Sequence, residues 1–352
     1  MQSGIIITVG GKADSELTNA ATVEVNERQG ETTTFSLRFD FDISDGDFPF
    51  IKDERLLPGS DISILVSVDD AKHSLVKGPV HGHNIHFEHG GAGSWIEILG
   101  SDSSVKMDRE TRSVVWSDVK DSEAVISITG NYGYATDIET TNAGHFVNKH
   151  TLVQCESDLA FVRRLARRNG FLFWISSDET GIETAHFRRP ELDTVTEGEI
   201  IINLQDANIS FFDLDWNIER PLSIRGTQLD LNTKSEIEVA VDKTPLTVLG
   251  EKGFDVIAGE NNSVHLSAPV DDAGNLRARG EGALIEAGWF IHGRCETTLE
   301  NTGKLIRPVT VVDLKGLGSL HSGKYYVSGV KHKINAVEHI MEIELLRNGW
   351  GV

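Results

Sequence analysis

Apolar and polar positions alternate strictly through the first hundred residues. Phe35, Leu37, Phe39, Phe41 and Ile43 share one face, and Ser36, Arg38, Asp40 and Asp42 the other. A period of two marks a half-buried strand. Ile62, Ile64, Val66 and Val68 repeat the pattern between Asp61 and Asp69, after turn chemistry in Leu57-Pro58-Gly59-Ser60. A histidine-rich strand over Lys77 to Glu88 follows, then a Gly90-Gly91-Ala92-Gly93 turn and a strand over Ser94 to Leu99. Strands joined by glycine turns predict an antiparallel sheet or barrel.

The period then changes. Val119, Ser122, Ala124, Val125 and Ile128 predict a short helix within Ser117 to Gly130. A stronger helix spans Ser157 to Gly170. Ser157 is its N-cap, Asp158 lies in its first turn, and Gly170 is its left-handed stop. Leu159, Val162, Leu165 and Ala166 form its apolar stripe, and Arg163, Arg164, Arg167 and Arg168 its other side. Phe171 to Ile175 predicts a buried strand, and Arg189 to Gly198 a long loop. Strands resume over Leu222 to Leu231 and Ile237 to Val241. Asp272 to Gly288 has helical spacing despite Gly280 and Gly282, and the last sixty residues alternate again, as in Met341 to Leu345. The organisation is strand-rich, helical, strand-rich: 1–115, 116–220 and 221–352. The fold class is β-rich α+β.

At 352 residues the chain exceeds one ordinary domain. No apolar run is long enough to span a bilayer, and the start lacks the features of a signal peptide, so folding in a cytoplasm is expected. Fifty-four acidic and 33 basic residues give a formal charge of −21. That balance disfavours gripping nucleic acid or an anionic membrane. It suits solubility, the plainer reading, or a surface that DNA passes without sticking. The four arginines are therefore expected to pair with acidic surfaces of this subunit or the next. Cys155 and Cys295 fit no CxxC pattern and are expected to be two buried small residues.

The chemistry-bearing candidate is HGHNIHFEHG, residues 81–90, with four of the chain's thirteen histidines. On a strand His81 and His83 point one way and His86 the other, so at most two meet a common ion. His73 or His89 would have to complete a site, and no Asp or Cys lies at a familiar metal spacing. The expectation is a strand with histidines on its solvent or interface face. No G-x-S-x-G elbow or H-E-x-x-H helix occurs. Gly316-Leu317-Gly318-Ser319 precedes strands rather than a helix. His145 and His150 flank a turn without a nucleophile signature. The chain is read as no enzyme and as needing no cofactor.

Three segments carry a resemblance. Gly78-Pro79-Val80 through Gly100-Ser101-Asp102, on to Trp116, gives strand, glycine turn, strand and G-x-D turn. Gln154-Cys155-Glu156-Ser157-Asp158 through Gly170-Phe171 follows an E-S-D-x-x-F-x-x-R-L-x-x-x-x-G helix. Ile306-Arg307-Pro308-Val309 with Gly323 to His332 follows closing strands of the form P-G-x-x-V and G-x-Y-x-V-x-x-V-x-H. Together they resemble the phage late control D family, the baseplate hub of contractile tails. That family includes the hub portion of type VI secretion spike proteins and the hubs of extracellular contractile injection particles. The match covers roughly residues 15–350. One departure bears on a turn: the glycine after proline is Val309 here.

The resemblance implies two tail-tube-like β-barrels at 1–115 and 221–352 with α+β segments between them. It implies a homotrimer whose six barrels adapt a sixfold tube to a threefold spike and form part of a cargo channel. The implied partners are tail-tube proteins, baseplate wedge proteins, a tape-measure protein or cargo, and a spike. Because the chain ends soon after the hub pattern closes, the spike is expected to be a separate protein. Assembly in a bacterial cytoplasm and residence in a virion tail or injection-particle baseplate follow. The rival readings are a hub-associated cell-wall or glycan-degrading enzyme, a metal-binding module on His81, His83 and His86, and nucleic-acid binding through the four arginines.

Overall fold

The computed structural model describes residues 4–41, 50–69, 71–89, 93–148, 151–230, 233–258, 262–267 and 273–352. Asp42 and Ile43 of the first predicted strand, the Gly90–Ala92 part of the turn, His150, Leu231 and Asp272 lie outside them. The first part contains β1 (Gly4–Val9), β2 (Lys12–Ala13), β3 (Thr22–Arg28), β4 (Thr34–Phe41), β5 (Asp61–Val68), β6 (Ala71–His86) and β7 (Ser94–Ser101). Phe35, Leu37 and Phe39 of β4 and Ile62, Ile64, Val66 and Val68 of β5 are buried, as their alternation requires. The sixteen-residue β6 belongs to two pairings. Ala71 to Pro79 pairs with β5, and Val80 to His86 with β7. Where it crosses over, a Cβ on Gly78 would sit 2.0 Å from the Ser101 carbonyl oxygen, so only glycine fits.

The middle part contains β8 (Thr111–Trp116), β9 (Val119–Lys120), α1 (Asp121–Asn131), β10 (Ala135–Ile138), β11 (Gly144–His145), β12 (Leu152–Ser157), α2 (Asp158–Asn169), β13 (Leu172–Ser177) and β14 (Glu183–Arg188). Helix α1 starts four residues later than its spacing predicts, because Val119 and Lys120 pair with His145 and Gly144. The Lys120 N–H donates to Glu123 Oε2 at 2.7 Å, which fixes the helix start. Helix α2 has the predicted ends: Ser157 Oγ accepts from the Ala160 N–H at 3.2 Å, and Gly170 has φ +66°. Its apolar stripe joins Met107, Ala124, Ile128, Phe173 and Phe187 in a separate core.

The last part contains β15 (Glu199–Ile201), β16 (Phe212–Trp216), β17 (Ser223–Asp230), β18 (Ser235–Val241), β19 (Lys252–Gly253), α3 (Phe254–Ile257), β20 (Ser263–Leu266), α4 (Ala273–Gly288), β21 (Ile291–Thr298), α5 (Leu299–Thr302), β22 (Val311–Lys315), α6 (Gly318–His321), β23 (Gly323–Ile334), β24 (His339–Arg347) and β25 (Gly349–Trp350). The Gly316–Ser319 segment, expected to lead straight into strands, contributes to one turn of helix, α6, before β23. Cys295 is buried, but Cys155 is exposed rather than buried, because it occupies an outward position of β12.

The main sheet has thirteen strands: eleven on the path β16-β21-β24-β23-β3-β4-β7-β6-β5-β1-β2, with β22 branching from β23 and β15 pairing with β22. Among the described residues this path does not close. The two parts meet where β3 pairs antiparallel with β23, Val25 opposite His332 and Glu27 opposite Val330. One apolar cluster runs through both, from Ile7 and Leu37 to Tyr325 and Ile343. The pairing thus gives a β-rich α+β fold in which both β-rich parts share one sheet and one apolar cluster. No helix among the described residues is long and apolar enough to cross a membrane.

The glycines of α4 are packing devices. A Cβ on Gly282 would lie 2.8 Å from the Gly170 nitrogen and 3.0 Å from the Arg167 carbonyl oxygen, so the backbones of α2 and α4 touch. Gly130 in α1 has open space around its Cβ direction. Gly282→Ala is therefore expected to destabilise by about 1–3 kcal/mol. Gly130→Ala is expected to stabilise by roughly 0.5–1 kcal/mol. Urea midpoints of the two variants check the opposite signs.

Candidate functional site

The three motif segments converge on the end of β3 and the turn after it, residues 27–33. Val23 and Val25 face the core, and Glu27 continues that inward face. On β23 the inward positions are Val330, His332 and Ile334. A carboxylate and an imidazole thus occupy apolar positions of two paired strands. His332 Nε2 lies 3.1 Å from Glu27 Oε2, and its Nδ1 lies 2.9 Å from His339 Nε2 on β24. Arg307 closes the group. Its Nε donates to Glu27 Oε2 at 3.2 Å, Nη1 to the Ser74 carbonyl at 2.5 Å, and Nη2 to Glu27 Oε1 and the Leu75 carbonyl. Burial pushes the Glu27 carboxyl up, but Arg307 and His332 outweigh it and hold the group below its ordinary range. A buried ion pair stands only with such a complete set of partners.

The loop carrying Arg307 contains Val309, where the motif has glycine. Val309 has φ +64°, the conformation glycine takes freely and a β-branched residue resists. Hydrogen bonds hold it there: the Val309 N–H donates to the Val327 carbonyl and the Val327 N–H to the Thr310 carbonyl, each at 2.9 Å. A β-branched residue in this conformation loads the turn with strain.

The G-x-D turn reaches the same place. Asp102 accepts from the Thr33 N–H at 2.5 Å and from the Ser104 N–H at 2.8 Å. Burial raises its carboxyl to about 6 against those bonds and the nearby Arg163. Arg163 of α2 donates to Thr32 Oγ1 at 2.8 Å. Arg164 pairs with Glu156 at 2.6 Å on the surface. Arg168, largely buried, holds both oxygens of Asp121, which also lies 2.8 Å from His145 Nε2. Arg167 is exposed and lines a cleft of about 290 Å³ between α2 and α4 with Gln29 and Trp289. The sequence reading placed all four on one polar side; the structure turns Arg168 inward and spreads the others over three surroundings.

The histidine-rich stretch does not converge. His81 is exposed, His83 Nε2 lies 2.6 Å from the Leu56 carbonyl oxygen, and His86 stacks on Trp95 at 5.7 Å. A bulge between Val80 and Gly82 separates His81 from its neighbours' register. Among the described residues no group of three or more His, Cys, Asp or Glu is placed to hold a metal.

Above the Glu27 group lies a cleft of about 300 Å³. Gln29, Arg307 and Val309 form one wall, and Trp174, Ser176 and His186 of the middle sheet the other. Sequence reasoning missed Glu27, Ser176 and His186. For Glu27 a signal existed, the carboxylate on the apolar face of Thr22–Arg28. Ser176 and His186 meet only through strand register.

Two outcomes follow. Burial, with His332 beside it, holds the folded His339 imidazole down to about 3. The unfolded imidazole takes a proton below about 6.5, so stability is full above that pH and falls as pH drops toward 3. Wild type is expected to lose about 2 kcal/mol more than His339→Gln between pH 7.5 and 5.0; equal losses in urea titrations refute this. His186 and His321 are also held low by burial, so the comparison with the variant isolates His339. Val309→Gly is expected to raise stability by about 1 kcal/mol, since a left-handed non-glycine residue costs roughly that much or more; an unchanged or lower denaturation midpoint refutes it.

Comparison with solved structures gives likeness over the whole chain. The 43 kDa tail protein of prophage MuSo2 from Shewanella oneidensis is 14% identical with a TM-score of 0.68, covering 98% of each chain. The tail protein from Neisseria meningitidis MC58 is 11% identical with a TM-score of 0.69, covering 100% of this chain and 98% of that one. An E. coli component of the type VI secretion system, described as similar to the bacteriophage T4 tail proteins gp27 and gp5, is 13% identical with a TM-score of 0.61. It covers 98% of this chain and 79% of that one. At these identities the likeness is one of fold. No curated protein sequence matches significantly. The model of the Alg8 N-terminal domain matches residues 3–336, nearly the full span of the strands and helices described above, and the chain belongs to that family.

Proposed function

We propose that this chain is a structural baseplate hub of a contractile tail or injection particle, related to the late control D proteins. The observation that carries the reading is the unbroken path of paired strands through both β-rich parts, joined at β3 and β23. A part that passes thrust from a tube to a spike must be stiff between its two ends, and a shared hydrogen-bonded sheet gives that stiffness. The likeness of fold to tail proteins over the full length supports it. In this reading 1–115 and 221–352 are the two tube-like barrel units, completed by neighbouring subunits; β15 and β16 add to the sheet of the second, and the rest of 116–220 is the middle clamp.

The hub acts as a homotrimer. It seats a spike, meets tail-tube and wedge proteins, and lets a tape-measure protein or cargo pass. The charge of −21 keeps passing nucleic acid from sticking. Of the arginine face, Arg164 and Arg167 are exposed and are proposed to meet acidic surfaces of a neighbour, while Arg163 and Arg168 brace the subunit itself. The mechanical role needs no catalytic step, cofactor or membrane insertion. The particle forms in the bacterial cytoplasm and carries the hub in its baseplate.

Light scattering of the purified chain, alone and mixed with a spike protein of a contractile tail, tests the proposal. A trimer, or a monomer driven to a three-to-three complex, is the expected result. A monomer indifferent to the spike refutes it.

A further inference from the structure

The wall of the cleft formed by the middle sheet carries an arrangement that no sequence motif announced. Ser176 Oγ lies 2.7 Å from His186 Nε2, and His186 Nδ1 lies 2.8 Å from Asp137 Oδ2. The three residues come from three adjacent strands in the order β10-β14-β13. Asp137 pairs with His186 in parallel register, and His186 opposes Trp174, two residues before Ser176. They therefore share one face of a rigid sheet. The imidazole stacks flat on Trp174, with ring centres 4.5 Å apart and planes 10° apart. Ring orientation is thus fixed by a strand partner below and a carboxylate beside.

The Asp137 carboxylate requires a proton on Nδ1, which leaves the Nε2 lone pair facing the serine hydroxyl. Burial lowers the imidazole's pKa, with Asp137 pulling the other way, so the ring is a neutral base near pH 7. Asp137 also accepts from Arg188 Nη1 at 3.1 Å, and its side chain is 41% exposed. Part of its charge is thereby drawn from the imidazole, so the site suits activated esters rather than amides. The opposite wall is formed by Gln29, Arg307 and Val309. Pro308 and Val309 give that wall an apolar surface for a short acyl chain.

We propose that Ser176, His186 and Asp137 form an acyl-transfer site that opens on this cleft and cleaves small carboxylic esters. Ser176 Oγ attacks the ester carbonyl carbon while its proton moves to His186 Nε2. The bond to the leaving oxygen breaks, and that oxygen departs with the proton from His186. Water then attacks the acyl-serine, giving its proton to His186, which returns it to Ser176 as the free acid leaves. The inference uses the geometry of one subunit and holds whether or not the chain assembles as a hub.

The full chain is treated with diisopropyl fluorophosphate, and intact mass and peptide mapping are read. Serine attack forms the Oγ–P bond, fluoride leaves, and the proton passes to His186. The expected result is one adduct on the Ser176 peptide, absent in Ser176→Ala and retained in Ser177→Ala, whose hydroxyl instead meets Ser74 Oγ at 2.7 Å. Hydrolysis of p-nitrophenyl acetate is expected to fall to background in Ser176→Ala, and at least tenfold in Asp137→Asn, which misplaces the imidazole proton. No adduct on folded wild type, while a serine esterase alongside is labelled, overturns the proposal. So does labelling or hydrolysis unchanged in Ser176→Ala.

Discussion

The fold depends on one buried group of charges. Glu27, Arg307 and His332 sit where β3 meets β23, the contact through which the main path of the sheet passes from one β-rich part to the other. Apolar residues there would bury as well, yet they would pair with any similar strand. A carboxylate at an inward position can be buried only against its own partners, since an unpaired buried charge costs several kcal/mol. The group thereby fixes which strand joins which, and in what register. Arg307 then extends the constraint, because its other donors hold the carbonyls of Ser74 and Leu75 on β6.

A second layer of contacts ties the middle part to the same place. Asp102 holds the Thr33 N–H, Arg163 holds Thr32, and the paired glycines of α2 and α4 bring two helix backbones together. The three motif segments, far apart in sequence, thus surround seven residues of chain. Motif residues here mark the places where separate pieces must meet. The strain at Val309 fits this account, since the loop that presents Arg307 is held by its hydrogen bonds against the preference of its own residue.

Strand and helix identity was legible wherever one period ruled alone: the alternation of Thr34–Phe41 and Asp61–Val68, and the capped stripe of α2. It failed where a longer-range pairing took precedence. Helix α1 loses its first predicted turn to the pairing of Val119–Lys120 with Gly144–His145. Cys155 looked like core by residue type but lies on the outward face of β12. The shared sheet was not legible, because nothing in either strand states that residue 25 will oppose residue 332. The same holds for Ser176, His186 and Asp137. Each is an ordinary polar residue of its strand, and only the register of three strands makes a line of them. The histidine-rich stretch errs the other way: density in sequence, with side chains that the bulge and the strand's alternation send to different surroundings.

The pairing of β3 with β23 also dictates an order of events in time. Glu27 and His332 are 305 residues apart in the chain. During synthesis β3 emerges long before β23, its neighbour on one side. Until then β3 offers an open hydrogen-bonding edge with a carboxylate on its inward face. An inward charge on a waiting edge deters other strands from adding to it. Closing a loop of that length has an entropic cost of about 5 kcal/mol on a logarithmic scale, so the final step is slow and is made late. The residue that locks the finished sheet is, until β23 emerges, the one that keeps the unfinished sheet from joining the wrong strand.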